Sequence, residues 1–165
     1  MSFSRWSDDC VALVLTEEYF EGFLKDLREL SPEDIEDENQ RNVFECYDAE
    51  DFEDVTYDDI DECFAQECIA DEIQYKDGGK DSENYSTIFR YDLETGRYKK
   101  NEKGYNITEI FDGFIYPLSY GSEGLYEPEY KNKEAILQQV KKELYIPRGY
   151  DIENNIVFYT GVEQG

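Results

Sequence analysis

The sequence predicts an α+β protein, with an antiparallel sheet of about four or five strands and two to four helices packed on it. Three observations carry this. Residues 17–30 set Tyr19, Phe20, Phe23, Leu24, Leu27 and Leu30 at i, i+3, i+4 spacing, the stripe of an amphipathic helix. Residues 85–93 alternate with period two, as a half-buried strand does. Short runs rich in β-branched residues stand at 11–15 and 156–160.

The elements follow in order. Val11-Ala12-Leu13-Val14-Leu15 reads as a buried strand. Thr16 caps helix 17–30, and Glu17 and Glu18 favour the positive end of its dipole. Ser31-Pro32-Glu33-Asp34 is a helix start: a capping serine, proline at the first position, then acids. The apolar residues behind it are sparse (Ile35, Val43, Phe44). Thr56-Tyr57-Asp58-Asp59 reads as another start, with Ile60, Cys63, Phe64 and Cys68 on the buried side. Asp77-Gly78-Gly79-Lys80 marks a turn. Tyr85, Thr87, Phe89, Tyr91 and Leu93 then alternate with Ser86, Ile88, Arg90 and Asp92. Glu94-Thr95-Gly96 turns the chain, and Arg97 to Lys100 returns as the second arm of a hairpin. Residues 105–120 hold one or two more strands. Asn132 caps a last helix, 133–144, with Ile136, Val140 and Leu144 on one face. Residues 156–160 close the sheet.

The expected sheet is built mainly from residues 85–120 and 156–160, with 11–15 alongside. Its core should hold Tyr19, Phe20, Phe23, Leu27, Phe89, Tyr91, Ile136, Val140 and Phe158. The chain has 165 residues and no Ser/Gly linker, which predicts one domain, with an acid-rich helical part over 1–75 and a β-rich part over 85–165.

Charge dominates the composition. There are 41 Asp and Glu against 16 Lys and Arg, a net charge of −25. Such a charge is common in disordered chains. Aromatic residues at 16 % argue instead for a folded globule, because acidic tails are poor in them. The charge is also uneven: residues 31–70 hold 16 acids and a single base, Arg41.

The sequence excludes many functions. It contains no histidine, so His-based acid–base catalysis, Ser-His or Cys-His nucleophiles and His-ligated metals are ruled out for the chain alone. Direct binding to nucleic acid or to an anionic membrane needs a basic face. No apolar run reaches the roughly 18 residues of a membrane span, and the N-terminus has no apolar signal core. The four cysteines (Cys10, Cys46, Cys63, Cys68) include no C-x-x-C pair and read as buried or inert thiols in a reducing cytosol. Calcium loops fail: Asp48 to Asp59 has Glu53 where glycine is needed, and the run from Asp151 has Ile156 there. Carboxylate pairs of the glycosidase kind are inevitable among so many acids and are uninformative. The glycine motifs that cradle phosphates are absent. The expectation is a protein that is not an enzyme, with no cofactor and no metal.

What remains is the acidic run. Solubility needs a net charge of only about 2–8 for a small domain, and a larger one repels itself and destabilises the fold. A compact chain of this length spans roughly 40 Å. B-DNA carries about 24 phosphate charges over that length, close to the net charge of −25 here. The acidic run from Glu33 to Glu62 resembles that of the phage and mobile-element DNA-mimic proteins, which include anti-restriction and anti-CRISPR inhibitors. The resemblance implies an inhibitor in the host cytoplasm that occupies the basic groove of a nucleic-acid-binding defence enzyme. The expected partner-facing charges are Glu33, Asp34, Glu36, Asp37, Glu38, Asp48, Glu50, Asp51, Glu53, Asp54, Asp58, Asp59, Asp61 and Glu62, with Tyr47 and Tyr57 adding contact area. An immunity or antitoxin-type protein that neutralises a basic toxin fits the same electrostatics. So does an acidic soluble domain without a specific partner.

Overall fold

A computed structural model describes residues 5–76, 85–95, 97–118 and 133–164. Seven strands form one antiparallel sheet: β1 (Arg5–Leu15), β2 (Gln74–Lys76), β3 (Tyr85–Asp92), β4 (Arg97–Tyr98), β5 (Thr108–Ile110), β6 (Gly113–Pro117) and β7 (Ile156–Gln164). The spatial order is β2-β6-β1-β7-β3-β4, and β5 also pairs with β3. The helices are α1 (Glu17–Glu29), α2 (Glu38–Glu45), α3 (Glu62–Cys68) and α4 (Lys133–Glu143). The α+β class is as predicted, with more strands than expected.

The first strand lies at the centre of the sheet, not alongside it. It pairs with β6 on one side and with β7 on the other, in register from Arg5↔Gln164 to Leu13↔Ile156. Its apolar run explains the position. Val11, Leu13 and Leu15 face the helices, Ala12 and Val14 face the opposite side, and all five are buried. A strand buried on both faces belongs in the middle. Both β1 and β7 run past their apolar stretches, and their backbones stay paired as far as Arg5↔Gln164. The three residues of β2 are too few for any alternation to show, and the sequence reading missed them.

Thr16 caps α1 through the Tyr19 amide, as predicted. Tyr19, Phe20, Phe23, Leu24 and Leu27 are buried against the sheet. At Gly22 the helix meets Pro147, whose Cβ would lie 3.0 Å from any added Cβ, so glycine permits the close approach. Of the expected core, only Phe89 is half-buried, and it stacks on Tyr98 at 5.0 Å. The predicted hairpin is present as β3 and β4. The Asp77–Lys80 turn, Gly96 and the Asn132 cap lie outside the described residues.

The two predicted helix starts are real starts of something shorter. Ser31 and Asp34 form a capping box, and so do Thr56 and Asp59, but each opens a single 3-10 turn. Each turn ends on a buried isoleucine, Ile35 or Ile60. A new aspartate, Asp37 or Asp61, then caps α2 or α3. Between them Asp48 caps a third 3-10 turn, Ala49–Phe52. The helical period of α3 therefore restarts at Asp61. Cys63, expected on the buried side, is exposed, Phe64 and Cys68 are half-buried, and Ala65 is buried instead.

Apolar anchors hold this broken segment down. Ile35, Phe44, Phe52, Ile60 and Ile69 are all buried in the main core. They recur every eight or nine residues, with acids between them. Two buried polar side chains lock the helical layer. Gln40 donates to the carbonyls of Lys141 (2.7 Å) and Leu144 (2.9 Å) at the end of α4, and accepts from the Ile146 amide (2.7 Å). Asp26 accepts from the Tyr145 hydroxyl (2.7 Å), and from the backbone amide (2.9 Å) and Nε (3.0 Å) of Arg148.

Tyrosines fill much of this layer, and burial pushes the hydroxyls of Tyr19, Tyr47, Tyr145 and Tyr150 above their ordinary range. An unfolded chain ionises its tyrosines near pH 10, whereas the fold retains those protons. The stabilisation is complete below about pH 10 and is lost as pH rises through the folded values. The melting temperature should therefore fall above about pH 10. Tyrosinate absorbance at these positions should rise together with the loss of far-UV dichroism. Ionisation well before unfolding would refute the buried assignment.

Candidate acidic interface

The acidic segment forms part of the helical layer. Its helix α2 packs on α4 and on the Pro32–Asp34 turn, the Ala49–Phe52 and Tyr57–Asp59 turns contact α1, and α3 packs beside β2. All fourteen predicted residues are exposed. Glu45 and Glu67, from the same stretch, are exposed as well.

Six of the fourteen carboxylates hold local structure. Asp34 accepts from the Ser31 amide (2.9 Å) and hydroxyl (3.1 Å), and Asp59 does the same for Thr56 (2.9 and 3.1 Å). Asp37, Asp48 and Asp61 accept from the amides of Gln40 (3.0 Å), Glu50 (3.0 Å) and Phe64 (2.7 Å). Glu62 accepts from the Tyr75 amide at 2.6 Å. The hydrogen bonds from Ser31 hold the Asp34 carboxyl below its ordinary range. A carboxylate has about four acceptor sites, so these residues still present negative charge to solvent. The other eight (Glu33, Glu36, Glu38, Glu50, Asp51, Glu53, Asp54 and Asp58) make no side-chain hydrogen bond or ion pair with any described residue.

The bases next to this surface leave the carboxylates alone. Arg28 donates to the carbonyls of Phe52 (2.8 Å) and Val55 (2.6 Å), stapling the Ala49–Phe52 turn to α1. Arg41 donates through Nε (3.0 Å) and Nη2 (2.9 Å) to the Ile35 carbonyl. The ion pairs lie elsewhere. Arg90 pairs with Glu109, Lys133 with Glu94 and Glu153, and Arg148 with Asp26 and Glu29. Among the described residues, no ion pair involves any of the fourteen carboxylates. Among the described residues, the β-rich part neutralises several of its acids and the 33–62 segment neutralises none.

Two features of this surface escaped the sequence reading. Tyr75 stands 48 % exposed at the end of the acidic segment, and nothing local in Gln74-Tyr75-Lys76 singles it out. Three cysteines are not buried: Cys46 and Cys63 are exposed, Cys68 is half-buried, and all three are free. The acidic field acts on two of them. The Glu67 carboxylate beside Cys63 pushes its thiol up, and burial followed by Asp51 does so for Cys68. The thiolate is the reactive form. Cys63 should therefore react more slowly with iodoacetamide at pH 8 than a free cysteine does, and Glu67→Gln should quicken it. Alkylation at the free-cysteine rate would show that the field is too weak to act.

Among the described residues, no group of ligand-type side chains converges to hold a metal ion. No described helix is long and apolar enough to cross a membrane. Comparison with protein-family models, with curated proteins and with solved structures finds no match for this chain.

Proposed function

We propose that the protein is an electrostatic decoy for nucleic acid: an inhibitor, without catalysis of its own, that occupies the basic groove of a nucleic-acid-binding defence enzyme of the restriction or CRISPR type. One observation carries the reading. The fourteen carboxylates of residues 33–62 are exposed and, among the described residues, make no ion pair, beside bases that bond to carbonyls instead. A solvated surface usually intersperses both signs. A groove that grips phosphates presents Lys and Arg at close spacing, and carboxylates satisfy the same donors, bidentately for arginine. Long-range attraction speeds the encounter and salt weakens it. The target works where the inhibitor does, in the cytoplasm of the host cell.

The test is capture on the immobilised protein from a nuclease-treated bacterial lysate. Retained proteins should be enriched in DNA-binding enzymes. Retention should fall steeply between about 50 and 200 mM salt, and free duplex DNA should displace the bound proteins. Partners that excess duplex leaves in place would overturn the decoy reading in favour of recognition by shape.

A further inference from the structure

A groove of about 350 Å³ opens within the acidic band, between the 56–60 turn and β2. Ile60 and Phe114 are buried in its floor, Tyr57 is half-buried, and Tyr75 stands half out of the surface. Asp58, Asp61 and Glu62 are exposed around it, and among the described residues no base lines it. The rings are fixed by their neighbours. Tyr75 meets Phe114 edge-on at 5.0 Å, Phe114 meets Phe20 at 5.0 Å, and Phe20 meets Tyr57 at 5.8 Å. The rim is fixed too: Glu62 is tied to the Tyr75 amide and Asp61 to that of Phe64, each through one oxygen. The Asp58 carboxylate makes no hydrogen bond or ion pair with any described residue.

The chemistry of the walls selects the occupant. An anion is repelled by three carboxylates. A neutral apolar group would strip water from those carboxylates and return nothing. A cation with a flat or apolar body satisfies both parts, since aromatic faces attract it and carboxylates pair with it. A guanidinium fits best: it is planar, weakly hydrated, stacks on rings and offers a fork to a carboxylate. The volume is at the small end of ligand pockets, enough for one extended side chain. The geometry points to this groove as the seat of one arginine side chain of the partner. This rests on the decoy reading for the partner's identity, and adds a fixed point to an otherwise diffuse electrostatic contact.

The seat can be tested without any partner. The amides of Tyr75 and Phe64 report on the rim through their bonds to Glu62 and Asp61. Those of Gln40 and Glu50, bonded to Asp37 and Asp48, report on acidic surface outside the groove. Titration of the ¹⁵N-labelled protein with N-acetyl-arginine amide should move the first pair and leave the second nearly still. The neutral isostere N-acetyl-citrulline amide should move neither. Tyr75→Ala and Asp58→Asn, both changes at exposed side chains, should each weaken arginine binding about two- to fivefold. Equal movement of all four amides would mean a diffuse ion atmosphere and overturn the seat. So would no movement, an equal response to citrulline, or affinity unchanged in both variants. None of these results touches the decoy reading, which stands or falls on displacement of captured partners by duplex DNA.

Discussion

Replacing Asp26 by alanine should cost about 3–5 kcal/mol of folding stability. The side chain is 2 % exposed, yet it accepts three hydrogen bonds: one from the Tyr145 hydroxyl and two from Arg148. Truncation strands the Tyr145 hydroxyl and the Arg148 amide without an acceptor, each at about 1–3 kcal/mol, and opens a small void. The guanidinium itself loses less, because the Arg148 side chain is 56 % exposed and water replaces the carboxylate. Asp26 also ties α1 to the chain between α4 and β7, so its loss loosens the whole helical layer. Domains of this size are stable by about 5–15 kcal/mol, so the variant should be close to unfolding at physiological temperature. Asp26→Asn keeps one acceptor and should fall between the two. Urea denaturation followed by far-UV dichroism checks this. A loss under about 1 kcal/mol for the alanine variant would show that the network is incidental.

Reversing Glu50, Asp51, Glu53, Asp54 and Asp58 together to lysine should abolish partner binding, with a loss of at least about a hundredfold. Exposed charges contribute about 0.5–1 kcal/mol each to an interface, and five such losses multiply to that range. The same variant should be no less stable than the parent. None of the five carboxylates holds local structure, and reducing the net charge relieves self-repulsion. Smaller matched pairs localise the effect. Glu53→Lys with Asp54→Lys should weaken binding markedly. Glu102→Lys with Glu134→Lys, at exposed acids in the β-rich part, should leave it nearly unchanged. Equal losses from the two pairs would assign the effect to total charge and remove residues 33–62 as the binding face.

Much of the fold is legible from local pattern. Helix α1, its Thr16 cap and its apolar stripe follow from spacing alone, as do the β3–β4 hairpin and the buried face of α4. The failures are instructive. Ser31 and Thr56 correctly mark where helical turns begin, but no start signal encodes where they stop. The stops come from Ile35 and Ile60, which are pulled into the core and end each turn. That is a tertiary effect, and it also carried Cys63 out to solvent. The central place of β1 depends on pairing with residues about 100 and 150 positions away, beyond any local reading. The exposed acidic run over residues 33–62 was readable because charge is a property of composition. The groove beside them was not, because Tyr57, Tyr75 and Phe114 meet only once the sheet has formed.

The regular spacing of Ile35, Phe44, Phe52, Ile60 and Ile69 has a consequence for how this face can change. Each pinned span is short, so closing it costs little chain entropy, and no span depends on a long helix for its order. The acids between pins point outward and bear no core contact. Substitutions at the eight carboxylates of residues 33–62 that hold no local structure redraw the charge map while leaving the hydrophobic framework and its caps intact. A face stitched down in this way is adjustable: its charge pattern can change at those eight positions one carboxylate at a time, at almost no cost to the fold beneath it, while the six capping and tethering carboxylates stay fixed.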